Sequence, residues 1–253
     1  MKRYLIPLLF LLLPSLMLFG SNKAQDVMEQ VLKVQQSQSS ALDLKLTLIE
    51  PNGTTRERRI QTLSQTKDTR VSSVTVFLSP ENVRNTRFLS IEEEDGNNSQ
   101  WIYLPALKRI RRIGSSEEGG SFMGSDFSYA DMASTSYDAD EAEHLLLSED
   151  ENTYIILSIP YKPTAYGKHI TTVDKATYLP RLVEFYDLDQ KTLLKTLKTE
   201  QITSIGGRMM TSEVLMTTIA SGHATHLEIM QARFDMNLPA GYFTTKFLET
   251  GRL

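Results

Sequence analysis

Leu42, Leu44, Leu46 and Leu48 alternate with Asp43, Lys45 and Thr47, a side-chain period of two that suits an extended strand with one buried face and no regular helix. Pro51-Asn52-Gly53 turns the chain, and Thr54–Leu63 returns as a more polar strand. Strand-like runs then recur at Val71–Leu78, Arg87–Glu92, Gln100–Leu104, Glu143–Leu147 and Tyr154–Ile159. They continue at His169–Asp174, Arg181–Leu188, Leu193–Thr199, Met209–Ile219 and Thr225–Phe234. Turn signals such as Asp95-Gly96-Asn97-Asn98, Gly206-Gly207 and Ser221-Gly222 separate them, and no helical crossovers intervene. The spacing predicts a largely antiparallel sheet. With so few helices to cover it, such a sheet must curl, sandwich or leave a cavity.

The first residues, MKRYLIPLLFLLLPSLMLFG, join a short positive segment to an apolar run broken by Pro7 and Pro14. This is the pattern of a secretory leader over residues 1–21, with cleavage between 20 and 24, and its apolar core is short for a membrane span. No linker or fixed-period repeat divides the remainder, so residues 22–253 are expected to form a single domain. The chain has no cysteine, which excludes disulfides, thiolate chemistry and lipid attachment through an N-terminal cysteine. Its formal charge of −4 argues against a general nucleic-acid surface. The helices are expected to be few: one over Asn22–Gln36 with Val27, Met28 and Val31 at helical spacing, one near Asp126–Met132, and single turns near Ala139–Ala142 and Pro239–Tyr242.

Trp101–Met132 is the most unusual stretch. In Trp101-Ile102-Tyr103-Leu104, Ile102 and Leu104 are core candidates, and Trp101 with Tyr103 should share the opposite face, as packing or as the rim of an apolar groove. Lys108, Arg109, Arg111 and Arg112 form the densest positive run. The recurrence of Leu104, Leu107, Ile110 and Ile113 every third residue predicts a bulged or twisted edge. Those charges either protect an edge from aggregation or attract lipid headgroups or an acidic partner. Gly114–Gly124 reads as a loose loop, a plain connection or a gate, and it fails as a phosphate cradle because no Gly-Lys-Ser/Thr follows. Ser125-Asp126-Phe127 reads as the capped start of a short helix that is either a satellite or a lid.

Catalytic and metal-binding signals are weak. His226 sits three positions after His223, which on a strand places them on opposite faces, and Ser121, His169 and Asp126 share no motif. The sequence therefore points to no enzyme, metal or cofactor.

The run WIYLPALKRIRRI, the Gly/Ser loop and then FMGSDFSYADM together resemble the signature of the LolA-like outer-membrane lipoprotein-sorting protein family. The closing FYDLDQKTLLKTLKTEQITSIGGRMMTSEVLMTT and HLEIMQARFDMNLPAGYFTTKFLE are similar to that family's last strands, so the likeness runs from about Ala24 to Glu249. The resemblance implies a mainly β (α+β) fold, a strongly curved antiparallel sheet forming an open, incomplete barrel with short helices over its concave face. It also implies an exported periplasmic protein whose cavity receives acyl chains of lipids or lipoproteins, working with an inner-membrane transporter or an outer-membrane acceptor. On this basis Trp101, Tyr103, Leu104, Phe122, Met123 and Phe127 are expected at the cavity or its rim. Leu42, Leu44, Leu46, Leu48, Val74 and Val76 are expected to line it. Lys108, Arg109, Arg111 and Arg112 are the expected headgroup or partner contacts. A sensor or adaptor reporting to a membrane partner is the alternative role.

Overall fold

A computed structural model describes residues 23–133, 139–162 and 165–253. The expected leader lies outside these residues. Two antiparallel meanders make up the chain. The first holds β1 (Ser39–Ile49), β2 (Thr55–Lys67), β3 (Arg70–Ser79), β4 (Arg87–Glu92), β5 (Asn98–Leu104) and β6 (Arg109–Ile113). The second holds β7 (Ala142–Glu149), β8 (Thr153–Pro160), β9 (Lys168–Asp174), β10 (Pro180–Tyr186), β11 (Leu193–Ile205), β12 (Arg208–Thr218) and β13 (Ala224–Phe234). Pairing of β1 with β13 fuses them into one 13-stranded sheet, β6-β5-β4-β3-β2-β1-β13-β12-β11-β10-β9-β8-β7. The edge strands β6 and β7 are not paired, so the barrel is incomplete, as the family resemblance implies.

One row of cross-strand partners fixes the faces: Leu48, Thr225, Met216, Leu197, Val183, Thr171, Ile156 and Leu146 lie side by side from β1 to β7. We call this side the inner face. Leu44, Leu46 and Leu48 are buried on it with Ile60, Phe77, Phe88, Ile102 and Ile113, and Leu42 packs against the same cluster. The four alternating leucines therefore do point one way. At the far end of the inner face α1 (Lys23–Gln35) packs Ala24, Val27 and Val31 against Ile156 and Val173. Its i, i+4 spacing presents Val27 and Val31 on one helical stripe.

The connection between β6 and β7 links opposite edges of the sheet, and its described part, residues 114–133, lies over the inner face. Phe122 on this segment packs against Phe88 of β4, its ring centroid 5.2 Å away. Phe127, whose carbonyl accepts from the Phe122 amide at 2.7 Å, belongs to one cluster with Phe185 of β10. In a flat sheet β4 and β10 would lie about 34 Å apart, seven strand spacings. A pair of neighbouring aromatics reaches both only because the sheet curls around them.

Two expectations need correction. Helices do not all sit on the concave side: α3 (Thr245–Thr250) and the residues before it pack Phe243, Phe247 and Leu248 on the outer face, against Val74, Leu89, Trp101 and Tyr103. Thr244 caps this helix by accepting from the Phe247 amide at 3.1 Å, and Gly251 ends it at φ 65. Arg87 donates to the Leu248 carbonyl at 2.6 Å, placing a cation at the negative helix end. The basic strand β6 is an edge, as expected, yet its pairing with β5 runs in register from Gln100↔Ile113 to Leu104↔Arg109 without a bulge. The three-residue spacing arises because Pro105–Leu107 form a 3-10 turn closed by Lys108 at φ 49, and because Ile110 and Ile113 face opposite sides.

Candidate functional site

The site is the inner face together with the segment laid over it. Phe122, fully buried, meets Phe77 at 5.7 Å and Tyr129 edge-on at 5.5 Å, an arrangement aromatic quadrupoles favour. Phe127 joins Tyr166, Phe185 and Met216 in a second cluster nearer the middle of the sheet. The stretch expected to be a loose loop thus carries the segment's deepest anchor. Its start is an exposed 3-10 turn, Ser115–Glu117, in which the Glu117 carboxylate accepts from the Gly114 amide at 3.1 Å and pairs with Arg111, and Gly119–Ser121 and Gly124 are exposed on either side of the buried Phe122.

Three polar ties hold the segment down. Arg58 of β2 donates to the Met123 carbonyl at 2.5 Å; burial, with Arg56 nearby, holds its guanidinium below the ordinary arginine range. Asp126, 5% exposed, accepts from Thr218 Oγ1 at 2.6 Å, from Thr225 Oγ1 at 2.7 Å and from His223 Nδ1 at 2.6 Å. His223 Nε2 in turn lies 3.9 Å from Glu50. Asp126 therefore fastens the segment to β12 and β13 instead of opening a helix. The helix α2 (Tyr129–Ala133) begins later, and Ser128 rather than Ser125 caps it: Ser128 Oγ accepts from the Asp131 amide at 3.0 Å while the Asp131 carboxylate accepts from the Ser128 amide at 2.7 Å.

The third tie was not apparent from sequence. Lys195 of β11 points to the inner face, 3.2 Å from Tyr166 Oη and 3.7 Å from the Asp131 carboxylate, which also accepts from Tyr166 Oη at 3.1 Å. Both charged side chains are nearly covered, Lys195 at 14% and Asp131 at 11% exposure. His169 stacks beside Tyr166 and Phe185, and burial pushes its imidazole down to about 4, so it is neutral near pH 7.

Of the sequence candidates, Leu42, Leu44, Leu46, Leu48, Leu104, Phe122 and Met123 share one inner-face cluster, and Phe127 lies in the adjoining one. Trp101, Tyr103, Val74 and Val76 do not line this face. They alternate with inward residues and lie outside, under the C-terminal helix. Lys108, Arg109 and Arg112 are exposed and have no carboxylate partner among the described residues, whereas Arg111 is taken by Glu117. Between α1 and the crossing segment, Val183, Leu197, Val214, Leu227 and Ile229 remain only partly buried, an apolar strip along the middle of the inner face. A recess of about 210 Å³ among Ala41, Asp43, Gln61, Gln231, Arg233 and Met236 opens on the outer face and mixes polar with apolar lining. His223 and His226 part to Asp126 and Glu213, so they share no ligand site. The site is thus an apolar sheet face covered by an aromatic segment. Among the described residues Ser121, His169 and Asp126 do not come together, since Ser121 Oγ donates to the Ser125 carbonyl and Asp126 takes Thr218, Thr225 and His223.

Residues 69–250 match the sequence model of a family described as an uncharacterized protein. No functionally curated protein matches the chain. Among solved structures, a DUF1329 family protein from Desulfovibrio piger is 26% identical with TM-score 0.84, covering 89% of this chain and 98% of its own. A domain from Vibrio parahaemolyticus, assigned to the outer membrane lipoprotein-sorting proteins, is 28% identical with TM-score 0.80, covering 90% and 98%. A LolA superfamily protein from Nitrosomonas europaea, 21% identical with TM-score 0.72 and covering 88% and 98%, shares the fold.

Proposed function

Because the chain belongs to the family matched over residues 69–250, within the broad LolA-like group, we propose that it is a non-enzymatic periplasmic carrier or chaperone for lipid or lipoprotein acyl chains. Its leader directs export, and cargo moves toward the outer membrane by downhill hand-off or with help from an inner-membrane transporter. The observation that carries this reading is the inner face itself: an unclosed, curled sheet whose apolar surface is filled by Phe122, Phe127 and Tyr129 from one crossing segment. Those side chains stand where acyl chains would lie.

Magnitudes decide whether cargo can displace them. Re-exposing each aromatic costs about 1.5–3 kcal/mol, and burying each methylene returns about 0.8 kcal/mol. About six to eleven methylenes offset the three aromatics alone, and breaking the polar ties at Arg58, Asp126 and Lys195 adds to that number, so only long acyl chains displace the segment. Cargo release follows from the same near balance. Purification of the protein from its native envelope, followed by mass spectrometry of bound lipid, tests the proposal. Co-purifying long-chain lipid supports it; a delipidated protein that takes up no acyl probe overturns it.

The adaptor reading rests on one specific feature, the unpaired Lys108, Arg109 and Arg112 along the open edge β6. Charge reversal at these three positions should abolish capture of a membrane partner while leaving lipid uptake intact. Unchanged pull-downs from envelope extracts would remove its basis.

A further inference from the structure

The crossing segment imitates a ligand in more than its aromatic side chains. Its last element places a carboxylate, Asp131, beside Lys195, the cation that β11 projects into a part of the inner face formed by Phe127, Tyr166, Phe185 and Met216, with His169 beside Tyr166. Around Lys195 the neighbours are Phe185 across one strand pair, Thr218 across the other, and the Tyr166 hydroxyl. Exchanging a covered ion pair for packed apolar groups is often neutral or stabilising, so folding alone is a weak reason for a lysine here. Removing only one partner is costly, because the remaining charge stays covered and uncompensated. When the segment lifts, Asp131 leaves with it and Lys195 remains on the sheet. Any occupant that brings no anion leaves that ammonium bare.

We infer that Lys195 is a headgroup site and that the cargo of this inner face is an anionic amphiphile, a long acyl chain bearing a carboxylate or phosphate that takes the place of Asp131. The inference rests on the carrier reading and narrows it. Tyr166, whose hydroxyl already lies between Lys195 and Asp131, supplies a second contact to the incoming oxygen. The chain then occupies the strip of Val183, Leu197, Val214 and Leu227, next to Phe127's position.

The test uses delipidated mature protein and displacement of a fluorescent fatty-acyl probe at neutral pH. Palmitate and hexadecyl phosphate should bind at least tenfold more tightly than hexadecanol, and inorganic phosphate or acetate should displace nothing. Lys195→Met should reduce the preference to less than threefold, Lys195→Arg should retain it, and Asp131→Asn, which removes the competing carboxylate, should tighten palmitate binding severalfold. Where Lys195→Met fails to fold by circular dichroism, Lys195→Arg and Asp131→Asn carry the test. Equal affinity for charged and neutral chains in the wild type overturns the inference while leaving the carrier reading standing. Displacement by inorganic phosphate alone marks a simple anion site and also overturns it. Failure of every acyl probe to bind overturns both.

Discussion

Asp126 does at the scale of one residue what a helix cap does at the scale of a turn: it gathers donors that would otherwise be stranded. Thr218, Thr225 and His223 all donate to its covered carboxylate. Asp126→Ala leaves them without that acceptor and should cost about 3 kcal/mol, read from the shift in urea midpoint; a change below about 0.5 kcal/mol would mean that the tie is ornamental. His169 makes a pH prediction. The unfolded imidazole protonates near 6.5, while the folded one stays neutral down to about 4. Its folded value is depressed, so stability is whole above pH 6.5 and falls as the pH drops toward 4, by about 3 kcal/mol at most. His144, pushed down chiefly by burial, acts in the same direction. Asp189, held at about 2 by the Thr192 and Lys191 amides, stays charged throughout this window and does not interfere. Urea midpoints measured from pH 7.5 to 4.5 should decline, and His169→Phe should flatten the decline without abolishing it.

At the scale of elements, α3 reveals what sequence could and could not give. The strands were legible because alternation and turn residues repeat along the chain, and each expected run overlaps an observed strand, although Arg181–Leu188 runs two residues past β10 and Leu193–Thr199 stops six short of the end of β11. Six residues of α3 are too few for a helical period to stand out, although Thr244 and Gly251 mark its ends. Alternation also says that Trp101 and Ile102 face opposite ways, but not which way is inward. Both faces of β3 to β5 are apolar, since one meets Phe122 and the other meets Phe247. Lys195 was hidden for a related reason: bulges in β10 and β11 break the simple period, and only the pairing register shows it facing inward. The outer assignment is testable, because Trp101 is the sole tryptophan and reports on the C-terminal helix. Phe247→Ala should destabilise by about 3–5 kcal/mol and shift Trp101 emission to the red in the still-folded protein. An unshifted spectrum would place the tryptophan elsewhere. Gly251→Ala should have a smaller effect of the same sign, since its φ is positive and an added Cβ would meet the Arg87 guanidinium.

For the whole molecule, the seam between β1 and β13 is, among the described residues, the only strand pairing that joins the two meanders. It unites opposite ends of the chain, Ser40 with Phe234 and Leu46 with Leu227, so closing it pays a large loop entropy before its contacts form. The crossing segment is the second tie, with Phe122 in the first meander's core and Phe127 among side chains of the second. The proposed carrier role requires this second tie to be breakable, so that a lifted segment would admit cargo. The seam must then hold the halves together alone. Leu46, fully buried at the seam, is the residue on which that division of labour can be measured. Leu46→Ala should cost about 2–5 kcal/mol. In the wild type, Trp101 fluorescence, which follows the first meander, and far-ultraviolet circular dichroism, which follows both, should report one coincident urea transition. In Leu46→Ala the two should separate, because each half retains its own core while the joint between them is weakened. Phe122→Ala should lower stability and leave the transitions coincident. The opposite pattern, separation on losing Phe122 and coincidence on losing Leu46, would make the segment the structural joint and leave no room for it to move aside.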